Sequence, residues 1–185
     1  MFMIKNNNLI WLDLEMTGLD PNSDRILEIA IIITNLNLKI IATCPVIQIH
    51  QSKKILNSMN SWNKKIHKDN GLINKVINSQ FNEKKAETYI LKFLKLWVQF
   101  KHSPMCGNSI YKDRIFLYNY MPNLEKYFHY RNIDVSSIKE LVKIWNPDIF
   151  AKLKKKNNHS AIKDIYESLS ELKFYKNTLF KKNIF

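Results

Sequence analysis

Three short stretches of the chain place carboxylates where they could hold a cation. Asp13 and Glu15 lie two residues apart in the apolar run Leu9-Ile-Trp-Leu-Asp-Leu-Glu-Met16. The run reads as a β-strand, whose period of two puts both side chains on one face, close to the turn Thr17-Gly18-Leu19-Asp20-Pro21. Two ionised carboxylates in that setting are costly unless something compensates them. A divalent cation does so directly, and oxygen ligands suit Mg²⁺ or Mn²⁺. An edge strand with one polar face is the competing reading, and this fragment alone does not separate the two.

The second stretch, Cys106 to Arg114, runs from an apolar strand through a polar turn into a helix with Asp113 in its first turn. The helix dipole favours a carboxylate there, within reach of a metal near the sheet edge. A surface acid beside Arg114 has the same local pattern. The third stretch is Asn157-Asn-His159-Ser160-Ala-Ile-Lys-Asp164. Ser160 suits an N-cap, which puts Asp164 in the first turns of the last helix. On a helix, residues five apart diverge by about 140°. His159 therefore belongs on the loop just before that helix, where its imidazole could take a proton from water at a site Asp164 helps form. Each fragment has a bland reading; their occurrence together, in this order, points to a metal site.

The elements that must position these groups follow from periodicity. Strands are expected over Leu9–Met16 and Ile26–Asn35, with a hairpin turn at Asn35-Leu36-Asn37 leading to a third strand from Leu38 to Ile49. Helices are expected over Ser52–Asn60, Trp62–Asp69 and Lys84–Phe100, the last with Ile90, Leu91, Leu94 and Trp97-Val98 at helical spacing. Pro104–Gly107 reads as a central strand and Tyr111–Tyr120 as a helix stopped near Pro122. Leu124–Phe128 reads as a short helix, and Ile133-Asp134-Val135 as a strand feeding a helix from Ser137 to Trp145. The final helix runs from about Ser160 to Phe180. Strands first, then strands mixed with helices, give an α/β fold around one mixed sheet.

At 185 residues the chain has room for one well-buried domain, read as 1–185 with a basic tail at about 181–185. It is 45% hydrophobic and 24% charged, as in an ordinary soluble protein, with no apolar stretch near the length of a membrane span. The start of the chain lacks the apolar core of a signal peptide. Cys44 and Cys106 are far apart and lack metal-ligand spacing, so reduced thiols and a cytoplasmic location are expected. The net charge of +13 permits a polyanionic partner. Almost all of it is lysine, in a chain also rich in Asn and Ile, which is what an AT-rich genome encodes by default. Charge alone leaves those two origins open.

The motifs Asp13-x-Glu15, Asn108 followed five positions later by Asp113, and His159-x₄-Asp164 resemble those of the DEDDh 3′→5′ exonucleases. Longer stretches resemble the oligoribonuclease branch of that family. They are Leu9–Pro21, Arg25-Ile-Leu-Glu-Ile-Ala30, His50-Gln-Ser52, Ser103–Ser109, Tyr127-Phe-His-Tyr-Arg131, Asp134-Val-Ser136 and Lys139-Glu-Leu141. The resemblance runs from about Asn7 to Tyr175.

It implies a ribonuclease-H-like fold and two-metal hydrolysis of short RNA, dinucleotides especially, to nucleoside 5′-monophosphates. Asp13, Glu15, Asp113 and Asp164 would hold two Mg²⁺ or Mn²⁺ ions, and His159 would be the general base. By the same resemblance, Leu19 would wedge against the bases, with Trp62 an aromatic in the same pocket and His67 beside it. Ser109, Arg131 and Ser136 would cap the substrate's 5′ phosphate. Tyr130 would reach the neighbouring subunit's site, which implies a homodimer. The chain departs from the family pattern at Tyr111-Lys112, where Gly-Gln is usual, at Ile66, where Thr is usual, and at Lys163, where an acid is common. None of these removes a metal ligand or the base.

Overall fold

The computed structural model describes residues 7–152 and 160–180. Strands β1 (Leu9–Met16) and β2 (Ile26–Thr34) pair antiparallel along their length, with Leu9 opposite Thr34 and Glu15 opposite Glu28. Every residue of β2 is buried. Between them the chain closes on itself through Thr17 N–H to Arg25 O (2.9 Å) and Thr17 Oγ1 to Asp24 Oδ1 (2.7 Å). A Cβ at Gly18 would overlap the Asp24 carboxylate and push it off its bond to Thr17.

The third strand is split, contrary to the single strand expected from Leu38 to Ile49. β3 (Ile40–Thr43) and β4 (Ile47–Gln48) both pair with β2. Pro45, which has no N–H for the ladder, lies between them. From Ile32 opposite Thr43 to Ile29 opposite Ile47, three steps on β2 match four on its partner, so the strand bulges at that point.

Helices α1 (Lys53–Ser58) and α2 (Ser61–Asp69) form as expected, with Ser52 and Asn60 as their caps. A further helix, α3 (Leu72–Asn78), follows and packs Leu72 and Val76 near Leu27. Helix α4 (Glu83–Leu94) ends six residues before the expected Phe100. Beyond Leu94 the chain tightens into i→i−3 turns, Leu96 N–H to Phe93 O and Trp97 N–H to Leu94 O (3.1 and 2.9 Å). Contacts from distant parts of the chain meet this segment: Asn8 donates to Trp97 O (2.9 Å) and the Tyr127 hydroxyl to Val98 O (2.7 Å).

β5 (Met105–Gly107) lies parallel to β1, and α5 (Tyr111–Tyr120) follows with the expected bounds. Helix α6 (Pro122–Glu125) begins earlier than expected because proline is preorganised for a first helical position. β6 (Asn132–Asp134) joins β5 in parallel, and α7 (Val135–Trp145) starts on the Asp134 side chain, which accepts from Ser136 N–H. The short α8 (Pro147–Phe150) and the long α9 (Ala161–Leu179) complete the described chain.

The sheet order is β3-β2-β1-β5-β6, with β4 also on β2, mixed as expected. Ile10, Leu12 and Leu14 pack on one side against α4, α5 and α6. Leu9, Trp11, Ile32 and Cys106 pack on the other against α7 and α9. Both cysteines are buried and unpaired. Among the described residues, no helix is long and apolar enough to cross a membrane.

Candidate active site

β5 ends at Gly107 while β1 continues to Met16, so the last residues of β1 have no strand on that side. A crevice beyond the carboxyl ends of parallel strands is where α/β sheets take ligands. Gly107 is needed here because a Cβ would lie 2.8 Å from Leu12 O. Helix α5 turns Asp113 into the gap. This buried carboxylate accepts the freed Leu14 N–H at 2.9 Å and is held beside β1.

Asp13 and Glu15 share the face of β1 that carries Trp11, and α9 crosses it. Asp164, in the first turn of α9, completes a cluster in which one oxygen of each carboxylate lies within 4.8 Å of the others. Ser160 caps α9 by position, as expected, but its side chain does not make the cap. The Asp164 carboxylate instead accepts Ser160 N–H at 3.2 Å.

The electrostatics show what the cluster lacks. Burial, followed by the charges of Asp113, Asp164, Glu15 and Glu28, holds the Asp13 carboxyl well above the usual carboxylate range. Burial, with Asp164, Glu28 and Asp113, pushes Glu15 up to about 8. Burial raises Asp113 to about 7, against the lowering effect of the N–H groups of Leu14 and Asp113 itself. So much negative charge in so little water is stable at neutral pH only with protons or a cation. The donors are all carboxylate oxygens, which fits a hard divalent ion held by Asp13, Glu15 and Asp164.

Leu14, Glu15 and Met16 open onto a cleft of about 460 Å³. Leu19 and Trp62 line it, exposed by 64% and 61%, so neither is core packing. His67 also lines the cleft but is buried. Its Nε2 lies 3.1 Å from Met16 O and therefore carries the proton. Asn63 donates to Thr17 O (2.9 Å), tying α2 to the turn that presents Leu19.

Ser109 and Ser136, two of the residues expected to cap the 5′ phosphate, lie side by side. Ser136 Oγ accepts Ser109 N–H at 3.0 Å and donates to Asn108 Oδ1 at 3.1 Å. Ser109 adopts a positive φ of 49° to make this turn. Tyr130 is 73% exposed, with the Arg131 guanidinium 5.2 Å from its ring centre. Arg114 fixes their loop by donating to His129 O, Tyr130 O and Asn132 Oδ1 while pairing with Glu125. His159 lies outside the described residues.

Sequence reasoning missed Glu28. It is buried directly opposite Glu15 and accepts from Gln48 Nε2 at 2.8 Å. The available signal was one acid in an otherwise apolar, fully buried strand.

A family model described as exonuclease (RNase_T) matches residues 10–172. An oligoribonuclease of Buchnera aphidicola from Acyrthosiphon pisum is 57% identical over 178 residues, which is 96% of this chain and 97% of that protein. One from Haemophilus ducreyi is 52% identical over 178 residues, with the same coverage. Among solved structures, an exonuclease I from Methylocaldum szegediense superposes with a TM-score of 0.73 at 16% identity, over 95% of this chain and 41% of that one. The zinc-bound Escherichia coli exonuclease I complex with single-stranded DNA gives 0.68 at 14%, over 94% of this chain and 41% of that one. The chain thus spans about two-fifths of those larger proteins and shares their ribonuclease-H-like exonuclease fold. By the family match and the full-length identities, the chain belongs to the oligoribonuclease family of exonucleases.

Proposed function

We propose that this chain is a 3′→5′ exoribonuclease that cuts very short RNA, dinucleotides above all, into nucleoside 5′-monophosphates, using two Mg²⁺ or Mn²⁺ ions. One observation carries the reading: the Asp13–Glu15–Asp164 cluster adjoins a cleft of about 460 Å³, a volume in the range of small-ligand pockets. Asp13, Glu15 and Asp164 would hold one ion, and Asp113, with its second oxygen, would help hold the other. When bound, such ions supply Lewis acidity to the attacking water and to the departing oxygen.

The protein's own groups do the rest. His159 removes a proton from water as its oxygen bonds to phosphorus, and the P–O3′ bond breaks with the 3′-oxygen ending protonated. Leu19 wedges against the bases, and Trp62 offers a stacking face that accepts any base. His67, held on Met16 O, braces the cleft floor. Ser109, Arg131 and Ser136 receive the 5′ phosphate and close the site to longer chains. Tyr130, exposed on its Arg114-braced loop, reaches the site of a second copy, so the working form is a homodimer. The match over 10–172 supports one exonuclease domain, and two unpaired, buried thiols fit work in the reducing cytoplasm.

The test is a time course with Mg²⁺ on 5′-labelled RNAs of two, three, seven and about twenty nucleotides, with His159→Ala as control. Fast loss of the dinucleotide, slow attack on the longest RNA and an inert variant are expected. Preference for the long RNA, or for DNA, would reassign the substrate. No cleavage with either metal would end the enzymatic reading.

A further inference from the structure

Most of the +13 charge plays no part in the site just described, and one portion of it is organised. Helix α4 buries Ala86, Glu87, Ile90 and Leu94 and turns Lys84, Lys85, Tyr89, Lys92 and its C-cap Lys95 to solvent. Both of its acids are engaged elsewhere. Glu83 accepts from Gln51 (2.9 Å), and Glu87 accepts the N–H groups of Asn123 and Leu124. No ion pair among the described residues involves these four lysines.

Phe81, Lys84, Lys85, Thr88, Tyr89 and Lys92 line a groove of about 410 Å³. Its floor is aromatic, with the rings of Phe81 and Tyr89 packed edge to face at 5.9 Å and Tyr89 41% exposed. Lys84 and Lys92 stand about 12 Å apart along the helix axis. The groove is on the Ile10–Leu12–Leu14 side of the sheet, opposite the face that carries Asp13 and Glu15.

We propose that this groove is a second binding surface, for single-stranded RNA too long to enter the cleft. Lysines along a groove follow a phosphate backbone, and an exposed ring between them stacks an unpaired base whatever its identity. A duplex keeps its bases stacked and has no use for Tyr89. A membrane surface would need a broad apolar face, and here the exposed apolar area is one aromatic pair. The surface deepens the reading of an RNA-directed enzyme but is tested without it, because binding is measured with no turnover.

Anisotropy of a fluorescein-labelled RNA of about twenty nucleotides is followed in EDTA from 50 to 200 mM salt, using the full chain. Lys84→Glu/Lys85→Glu/Lys92→Glu is compared with Lys39→Glu/Lys173→Glu/Lys176→Glu, which changes the net charge equally from exposed positions elsewhere. The α4 variant is expected to bind about tenfold or more weakly and to flatten the log–log salt slope by about 2, from three phosphates at ~0.7 each. Tyr89→Ala is expected to weaken binding about tenfold with the slope unchanged, as for one lost stacking contact. Dinucleotide hydrolysis with Mg²⁺ stays at the unmutated rate in all three variants. Equal losses in the two charge variants, or no effect of Tyr89→Ala, would overturn the proposal and leave only diffuse attraction. Tyr89-independent binding to anionic vesicles that matches RNA binding would also overturn it. Absence of dinucleotide cleavage would count against the enzymatic reading alone.

Discussion

The two faces of β1 are made by one alternating run of residues and do opposite work. Ile10, Leu12 and Leu14 are at most 5% exposed and lie under α4, α5 and α6 with no charge among them. On the other face, Leu9 and Trp11 begin the same way, but Asp13 and Glu15 follow, joined by Asp164 from α9 and Glu28 from β2. The first face gains free energy from burial; the second loses it to like charges in a dry setting. The contrast shows how such a site stays in place. The apolar face fixes the strand, and the strand holds carboxylates where none would collect unaided.

The contrast is broken most severely at Asp13. Asp13→Asn removes a cation ligand and one of the mutually repelling charges. Dinucleotide hydrolysis is expected to fall about a thousandfold, ~4 kcal/mol of barrier, while the metal-free protein melts a few degrees higher at pH 8. Parallel kcat/KM and calorimetric measurements check both signs. Full activity in this variant would remove the carboxylate cluster from the chemistry. Leu12→Ala tests the opposite face. It empties a position only 1% exposed and should cost about 3 kcal/mol, lowering Tm by ~9 °C. Turnover per folded molecule is expected to change less than about twofold, because the Leu12 side chain lines neither the cleft nor the carboxylate cluster.

A pH series separates the faces without mutation. Glu15 is raised from 4.5 to about 8, so its native state holds a proton that the unfolded chain releases. A group raised in this way contributes stability that is complete below its unfolded value and is lost as pH climbs through its folded value. In EDTA, Tm is therefore expected to fall from about pH 5 to 8, by roughly 5 °C. Mg²⁺ or Mn²⁺ should reverse the fall, most strongly at the alkaline end, with protons released on binding. A Tm in EDTA that rises over this range would mean the cluster is ionised and satisfied without a cation.

How much of this could be read beforehand depends on the reach of each cause. Asp13 and Glu15 share a face because of a local period, and Asp113 and Asp164 fall in first helical turns because the chain turns into each helix at a nearby polar stretch, so all four were legible. The bounds of α5 were legible from the polar turn before it and Pro122 after it. The end of α4 was not, because the apolar helical spacing runs on through Trp97 and Val98 while the backbone tightens into turns there, and the groups that meet this segment, Asn8 and Tyr127, lie 89 and 29 residues away. The split at Pro45 was visible as a residue but not as a register shift, which exists only against β2. Trp62 could have been core or cleft until α2 was set beside the Thr17–Asp24 turn. Glu28 was hidden for the plainest reason: only the pairing of β1 with β2 puts it opposite Glu15.

That hidden residue gives the smallest and most discriminating prediction. Glu28→Gln keeps the shape and an acceptor for Gln48 Nε2 but removes one charge from the crowded face. Glu28 is among the groups that raise both Asp13 and Glu15, so its loss lets their carboxyls ionise more readily. The metal-free protein should then melt about 2 °C higher at pH 8, since less repulsion remains to be relieved by unfolding. Metal affinity should weaken about threefold, because the same repulsion helps draw a cation in. Titrating Mn²⁺ into both proteins at pH 8, with melting curves in EDTA, reads the two effects together. Opposite signs for stability and affinity place Glu28 in the field of the site. If both fell together, Glu28 would be acting through packing, and the charged face of β1 would be smaller than its register suggests.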